Sequence, residues 1–308
     1  MTVNQQAASN SSAVAIAHGK WSALISLRGA ALLQLSSGNT MIVTNDWPNS
    51  DDWFAGSTLA PWVNRLDAGT WVHNGHTLHA PINDAKNNCA NHGLVQDHIF
   101  EIVQKTESAI ELSTLIHDSA AYPFEVKLNV YYELTEYGLS SIISAKNIGT
   151  QRAPFGAGVH PYFVSDPDSI LTFDAYEQFE VDERMLPSTK TLATNPGSET
   201  RTIRLNNKDD FTDTCFGGLT RYAEGFAQAF ITRPNTNERV TVFQNQELGY
   251  LQVFTLMGND FAGGNTLVAL EPQSSPANAL NTGDGLVWLE PGQVWSGRWG
   301  VDIEEVSK

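Results

Sequence analysis

Apolar and polar residues alternate along several stretches of this chain. In residues 125–134, EVKLNVYYEL, every second position from Val126 to Leu134 is apolar or aromatic, and charged or polar residues lie between them. This period of two is typical of an antiparallel strand with one buried face and one solvent face. Residues 109–118, 239–245 and 249–256 have the same alternation, so they also predict strands.

Turn residues separate these stretches, as in the pairs Asn74-Gly75, Tyr137-Gly138, Ile148-Gly149 and Pro291-Gly292. Long amphipathic helical patterns are missing, and residues 274–281 predict at most one or two helical turns. Many short strands joined by turns indicate a sandwich or a barrel. Because no Ser- or Pro-rich linker divides the chain, we expect one all-β domain over residues 1–308, with residues 1–12 disordered.

The net charge of the chain limits the kinds of molecule that it is expected to bind. The 308 residues include 34 acidic and 18 basic side chains, which gives a net charge of −16. A chain this acidic repels phosphate backbones and anionic lipid, so we expect it to bind neither nucleic acid nor membrane surfaces. The same field mildly disfavours a strongly anionic substrate.

Cysteine use and the N-terminal residues bear on the compartment. Cys89 and Cys215 form no CxxC pair, so the sequence favours two free thiols in a reducing compartment. The N-terminus lacks the basic region and apolar core of a signal peptide, and no apolar run reaches 18 residues. We therefore expect a cytoplasmic protein.

His160 is the first candidate for proton transfer and lies in FGAGVHPYF, residues 155–163. Its imidazole can give a proton near neutral pH. Pro161 favours an extended backbone at His160. We expect Gly156 and Gly158 to let the backbone approach a ligand closely.

Glu271 is the second candidate and lies in ALEPQSSPANALN, residues 269–281, on an apolar strand that we expect to end at Pro272. Alternation places it on the same face as Leu267 and Ala269. Desolvation there should raise the pKa of its carboxyl into a range useful for a general base. Together with His160 it forms an acid–base pair suited to moving protons on a neutral substrate.

The chain resembles the aldose 1-epimerase (galactose mutarotase) family over roughly residues 20–303. Besides the two segments above, the resemblance rests on APWVNRLDAGTW (60–71), NCANHGLVQ (88–96) and FTDTCF (211–216), in the family's order. The HPYF and APWxNR versions resemble the bacterial mutarotase-related branch. The resemblance implies a large antiparallel β-sandwich, the galactose mutarotase-like supersandwich, and a reaction without metal or cofactor.

The resemblance also implies an activity, the interconversion of α and β anomers of a free hexose. One group removes the proton of the C1 hydroxyl while another protonates the ring oxygen; the ring opens, C1 rotates, and the ring recloses. The resemblance assigns the acid to His160 and the base to Glu271.

The substrate-binding residues implied by the same resemblance are Asn64, Arg65, His92, Asp213 and Gln252. Asp209 and Asp210 lie close to Asp213 and leave the register of that assignment open. Leu94 and Val95 follow His92-Gly93 where many members carry a second glycine, which leaves the preferred sugar open. Trp62 is a further candidate for stacking on a sugar.

Three other functions remain compatible with these residues. A hexose-6-phosphate 1-epimerase would share the acid–base pair but needs several cations around the phosphate. A glycoside hydrolase would use Asp213 and Glu271 as its two carboxylates, which leaves His160 unexplained. A non-catalytic sugar-binding protein of the same fold would keep Arg65 and Asp213 but could lose either member of the pair.

Overall fold

A computed structural model describes residues 13–192, 199–256 and 266–306. The disorder expected for residues 1–12 lies outside these ranges. Short 3-10 helices cover Ser50–Trp53, Lys208–Asp210 and Ala223–Gly225, and one helical turn, α1, covers Ala279–Thr282. The strands are β1 (Ala13–His18), β2 (Trp21–Ser26), β3 (Leu32–Ser37), β4 (Thr40–Val43), β5 (Thr58–Leu59), β6 (Arg65–Asp67), β7 (Thr70–His73), β8 (His76–His79), β9 (Cys89–Asn91), β10 (Glu101–Lys105), β11 (Ala109–Ile116), β12 (Val126–Leu134), β13 (Gly138–Asn147), β14 (Ala153–Phe155), β15 (Gly158–Val159), β16 (Tyr162–Ser165), β17 (Ile170–Val181), β18 (Pro187–Leu192), β19 (Thr200–Arg204), β20 (Asp213–Leu219), β21 (Ala227–Arg233), β22 (Glu238–Gln244), β23 (Tyr250–Leu256), β24 (Thr266–Gln273), β25 (Val287–Leu289) and β26 (Val294–Glu305).

Most of these strands belong to two antiparallel sheets. The front sheet has the order β1-β2-β3-β4-β16-β24-β23-β20-β17-β18, and the back sheet has the order β10-β11-β12-β13-β26-β22-β21-β17-β19. Strand β17 belongs to both, because residues 170–174 pair in the back sheet and residues 175–181 pair in the front sheet. The predicted all-β antiparallel class is confirmed.

The alternation seen in the sequence forms the core between the sheets. Along β12, the odd-numbered residues face outward, while Val126, Leu128 and Val130 are fully buried. They join one hydrophobic cluster that also contains Ile25 from the front sheet and Val301 from the back sheet. Burying both apolar faces against each other is what stabilises a sandwich.

Local predictions are also confirmed at the turns and the helix. Asn74 and Gly75 join β7 to β8 with His73 opposite His76, and both turn residues have positive φ, 49° and 78°. A two-residue hairpin of this kind requires that backbone geometry. The predicted helical turn within residues 274–281 is α1, and no helix within the described ranges is long and apolar enough to cross a membrane.

The expected end of the Glu271 strand at Pro272 is wrong. Strand β24 continues through Pro272 to Gln273, with Pro272 opposite Leu251 of β23. Proline cannot donate to a strand ladder. Here the neighbour on the other side of β24 is interrupted, since β15 pairs at Gln273 and β16 pairs only from Ala269 towards Thr266. The interruption removes the need for a donor at Pro272.

Candidate active site

Three adjacent strands of the front sheet place polar side chains on one face. Gln252 of β23 lies opposite Glu271 of β24 and, on its other side, opposite Cys215 of β20. Asp213 lies two residues before Cys215, so it projects from the same face. The Gln252 side-chain amide donates to Asp213 Oδ1 at 2.6 Å.

His160 reaches this face from the interruption beside β24. It lies between β15 and β16, in the break that Pro161 helps to form. Its Nε2 atom is 3.3 Å from Glu271 Oε1. His160 is 6% exposed and Glu271 is 2% exposed, so the two groups meet almost out of contact with solvent.

Burial sets the charge of this pair. It raises the pKa of Glu271 well above the ordinary 4.5, and the negative charge of Asp213 adds to the rise. Burial lowers the pKa of His160 below the ordinary 6.5. Both shifts favour uncharged groups, so we infer that the resting pair is a protonated Glu271 carboxyl beside a neutral His160 imidazole.

Two aromatic rings hold the His160 imidazole in place. Tyr162 stacks on it at 5.0 Å between ring centroids, and His92 approaches it edge-on at 5.1 Å. The Tyr162 hydroxyl donates to the Trp53 backbone carbonyl at 3.2 Å. The ring that faces Glu271 therefore has a fixed orientation.

His92 and Asn64 occupy paired turns with left-handed backbones. Their φ angles are 63° and 52°, a region that non-glycine residues seldom adopt. The Asn64 backbone N–H donates to His92 Nδ1 at 3.3 Å, and the His92 backbone N–H donates to the Asn64 carbonyl at 3.0 Å. Burial lowers the pKa of His92 well below 6.5. Since Nδ1 is an acceptor, the neutral ring carries its proton on Nε2 and is a hydrogen-bond donor there.

Arg65 forms the more polar end of the site. Its Nε donates to Asp84 Oδ2 at 2.9 Å, and Nη1 lies 4.0 Å from Asp213 Oδ2. Although burial raises the pKa of Asp84, hydrogen bonds from Asn87 and Arg65 outweigh that effect and hold it below its ordinary value. Asp84 is therefore ionised and orients the guanidinium.

A cleft leads to Arg65, Asp213 and Gln252, and the β17–β18 hairpin forms its apolar wall. Arg184, at the tip of this hairpin, forms an ion pair with Asp67 at 2.7 Å and donates to the backbone carbonyl of Asn87 at 3.0 Å. This contact ties the hairpin to the loop that carries Asp84. The cleft is lined by Asn64, Arg65, Phe179, Val181, Met185, Pro187, Asp213, Cys215, Gln252 and Ala277.

The structure brings the predicted site residues together, although their roles remain predictions. Asp213 is the aspartate that reaches the site, whereas Asp210 accepts a hydrogen bond from the Arg204 backbone N–H elsewhere. Trp62 is 3% exposed and its indole donates to the Ala90 carbonyl. It packs in the core and borders a separate cavity of about 570 Å³ beside Arg28 rather than the cleft.

The glycines before His160 allow close packing within the protein, and their expected contact with a ligand remains a prediction. A Cβ atom at Gly158 would lie 2.9 Å from Gln273 Cγ and from the Pro272 carbonyl oxygen. A Cβ atom at Gly156 would lie 3.1 Å from Ser275 Oγ. These glycines allow this segment to pack closely against residues 272–275, within the protein itself.

Two residues at the site were not predicted. Gln273 donates from Nε2 to Glu271 Oε2 at 2.9 Å. Its position two residues after Glu271, on the same strand face, is a signal that the alternation already contained. Asp84 lies in the loop between β8 and β9, and nothing in its surrounding sequence marks it as the partner of Arg65.

The histidine, cysteine and carboxylate side chains also bear on metal and thiol chemistry. In residues 13–192, 199–256 and 266–306, no group of three or more His, Cys, Asp and Glu side chains is arranged to hold a metal ion. The expected absence of a metal remains a prediction. Cys89 and Cys215 are both free and buried, and burial raises the pKa of each thiol, so neither is a reactive thiolate.

Comparison with known proteins identifies the family. The uncharacterised protein YihR of Escherichia coli K12 is 28% identical over 286 residues, covering 91% of this chain and 89% of that protein. A galactose mutarotase-like protein from Clostridium acetobutylicum has a similar fold, with a TM-score of 0.79, 22% identity and coverage of 96% and 95% of the two chains. A galactose 1-epimerase from Lactobacillus acidophilus superposes with a TM-score of 0.76 at 21% identity, with coverage of 96% and 95%. Residues 12–301 match the family model described as aldose 1-epimerase, so the chain belongs to the aldose 1-epimerase family.

Proposed function

We propose that the protein is a mutarotase that interconverts the α and β anomers of a free hexose. The observation that carries this proposal is the buried contact of 3.3 Å between His160 Nε2 and Glu271 Oε1. It lies beside hydrogen-bonding groups suited to sugar hydroxyls, namely Arg65, Asp213 and Gln252. Membership of the aldose 1-epimerase family supports the same activity.

Ring opening requires two proton transfers. Glu271 removes the proton of the C1 hydroxyl, and His160 protonates the ring oxygen as the C1–O5 bond breaks. The product is the open-chain aldehyde, whose C1 rotates about the C1–C2 bond. Ring closure on the other face reverses both transfers and restores the pair.

The charge preference of the pair fits this cycle. Opening begins from an ionised Glu271 and a protonated His160, and it leaves a protonated Glu271 and a neutral His160. That second arrangement is the one that burial favours. In the free protein, transfer of one proton from Glu271 to His160 gives the ionised Glu271 and protonated His160 that ring opening needs. The total number of protons on the pair does not change. Burial thus favours the arrangement paired with the aldehyde intermediate.

The side chains at the polar end of the site bind the sugar hydroxyls. The Arg65 guanidinium presents several donors in a fixed plane, which suits adjacent hydroxyls. Asp213 accepts and Gln252 both donates and accepts. His92 adds a neutral donor at Nε2, beside the acid His160. Asn64 lines the cleft next to Arg65.

Charge around the cleft disfavours a phosphorylated sugar. Arg65 is already matched by Asp84 and Asp213, and Arg184 is matched by Asp67. A hexose-6-phosphate would bring two further negative charges to a region where these two arginines, among the described residues, already have carboxylate partners. A free hexose avoids that repulsion.

Exchange NMR tests the proposal directly. Purified protein is added to anomerically equilibrated glucose and galactose, and magnetisation exchange between the α and β C1 protons gives the rate. We expect exchange far above the uncatalysed rate, abolished in Glu271→Gln and retained in the surface control Glu290→Gln.

Assays with other substrates and a binding measurement separate the other functions. Faster exchange with hexose 6-phosphates than with free hexoses would favour the phosphate-specific epimerase. Release of a free sugar from an aryl glycoside would favour a hydrolase. Saturable sugar binding without any increase in exchange would contradict the mutarotase proposal and favour a binding protein.

A further inference from the structure

We propose that Gln273 is a positioning residue that holds the Glu271 carboxyl so that one of its oxygens faces His160. This inference rests on the proposed function for its effect on turnover, although the interaction itself can be measured without a substrate.

The two oxygens of Glu271 have different partners. Oε1 lies 3.3 Å from His160 Nε2, and Oε2 accepts a hydrogen bond of 2.9 Å from Gln273 Nε2. A carboxyl held through one oxygen cannot rotate freely about its last torsion. Oε1 therefore keeps its direction towards His160 and the reacting proton.

The position of Gln273 is itself fixed by close packing. Gln273 is completely buried at the end of β24, opposite Tyr250 of β23 and Gly158 of β15. Its Cγ occupies the space where a Cβ atom of Gly158 would lie, at 2.9 Å. The next residue is anchored as well, because Ser274 Oγ accepts from the Ala157 backbone N–H at 2.9 Å.

The side-chain oxygen of Gln273 differs from its nitrogen. Within the described part of the chain, its Oε1 atom is buried and accepts no hydrogen bond. A buried amide with one unsatisfied end stabilises a fold less than an apolar side chain of the same shape. The contact with Glu271 is therefore the interaction that accounts for a glutamine at this position.

The hydrogen bond from Gln273 also affects the pKa of Glu271. Burial and Asp213 raise the pKa of Glu271, while the hydrogen bond from Gln273 and the charge of Arg65 lower it. Among the described residues, the other titratable groups that face this carboxyl are His160, Tyr162 and Cys215. By favouring the ionised form, Gln273 brings the carboxyl nearer to the range in which it both takes and returns a proton.

Gln273→Met tests this role, because methionine has a similar length and no N–H donor. In protein labelled with δ-¹³C glutamate, the resonance of Glu271 is identified by its loss in Glu271→Gln. We expect the Glu271 titration to move to higher pH in Gln273→Met. We also expect kcat for anomer exchange to fall by about tenfold or more, as for loss of a hydrogen bond to a charged group, with KM changing less than twofold.

Gln244→Met is the matched control. Gln244 is also a buried glutamine, on β22, and its amide donates to the backbone carbonyls of Leu248 and Tyr250. Its substitution should lower the unfolding temperature while leaving the Glu271 titration and kcat unchanged. A merely structural role for Gln273 predicts that the two variants behave alike.

The outcomes separate this inference from the proposed function. An unchanged Glu271 titration and kcat in folded Gln273→Met would overturn the positioning role, whereas the mutarotase activity would stand. A shifted titration in a protein without anomer exchange would leave the interaction with Glu271 in place and reject the function. If the variant does not fold, the side-chain amide resonance of Gln273 in the wild-type protein must shift with the titration of Glu271; an amide that does not respond rejects the proposal.

Discussion

The two ends of the candidate site differ in exposure and in charge. At the inner end, the side chains of His160 and Glu271 are 7% and 3% exposed, and burial favours the neutral form of both. At the outer end, the side chains of Arg65 and Asp84 are 15% and 16% exposed, and they form an ion pair. Both ends lie next to the same three strands of the front sheet.

The difference separates two tasks. Proton transfer needs groups whose protonated and deprotonated forms are close in free energy, which a dry environment achieves by destabilising charge. Hydroxyl recognition needs permanent donors and acceptors held in place, which ion pairs with solvent access provide. Variants at the inner end should therefore change turnover, and those at the outer end should change binding as well.

The largest expected effect comes from Glu271→Gln, which preserves shape but removes the base. Anomer exchange should fall by about 10²–10⁴-fold, as is typical when a general base is lost. Sugar affinity, measured by calorimetry, should remain near that of the wild type. A variant that retains more than half of the wild-type exchange rate would remove Glu271 from the mechanism.

His160→Asn and Arg65→Ala should have different effects on kcat and KM, because they change the inner and the outer end of the site respectively. His160→Asn should depress kcat strongly with little change in affinity, because the acid acts on charge that develops as the ring opens. Arg65→Ala should raise KM and lower kcat together by about one to two decades, as for loss of a charge-assisted hydrogen bond.

Steady-state mutarotation kinetics on folded variants measure this contrast. Arg152→Ala is the matched control, since Arg152 pairs with Glu290 at an exposed position, and its kinetics should not change. If His160→Asn altered only KM while Arg65→Ala altered only kcat, the roles assigned to the two ends would be reversed.

Asp84→Asn should have a smaller effect that is confined to the outer end. Without the carboxylate the guanidinium of Arg65 is less well oriented, so KM should rise by about fivefold, the equivalent of one ordinary hydrogen bond. Asp97→Asn provides a control, because Asp97 pairs with Arg28 away from the cleft. Equal changes in KM for both aspartate variants would show that the effect is not specific to Arg65.

The last effect concerns stability and its dependence on pH. The raised pKa of Glu271 means that the folded protein holds this proton above pH 4.5, where the unfolded chain releases it. Stability from this group therefore falls as pH rises from 4.5 through the raised pKa, by at most about 1.4 kcal/mol per pH unit. Relative to the wild type, Glu271→Gln should become more stable across this window in thermal unfolding. A stability difference that does not depend on pH would contradict the shift.

The inner and outer ends also differ in how far the sequence predicts them. The sequence placed Glu271 on a strand, on the same face as Leu267 and Ala269, and the structure confirms that it lies on β24. All eight residues of this strand are buried, so both of its faces are covered. The same pattern, followed two residues further, reaches Gln273. Gln273 was missed because the strand was expected to end at Pro272. The strand can continue because the neighbouring strand is interrupted there, and that interruption depends on long-range pairing.

The outer end depends on contacts between segments without regular patterns. Arg65 and Asp213 were predicted from family resemblance, but Asp84 comes from a loop and meets Arg65 only through the fold. The apolar wall from the β17–β18 hairpin could not be predicted from the sequence either. Its residues alternate like those of other strands, so the pattern does not mark them as part of a cleft. Their place beside the cleft follows from the passage of β17 between the two sheets.

Direct observation of the protonation states of Glu271 and His160 tests whether burial keeps this inner pair uncharged. The sugar-free protein is labelled with δ-¹³C glutamate and ¹⁵N histidine, and NMR spectra are recorded at about pH 5.5, between the ordinary pKa values of the two groups. Neutral burial predicts a protonated Glu271 carboxyl and a neutral His160 imidazole. A Glu271 carboxylate beside a His160 imidazolium at that pH would contradict the account.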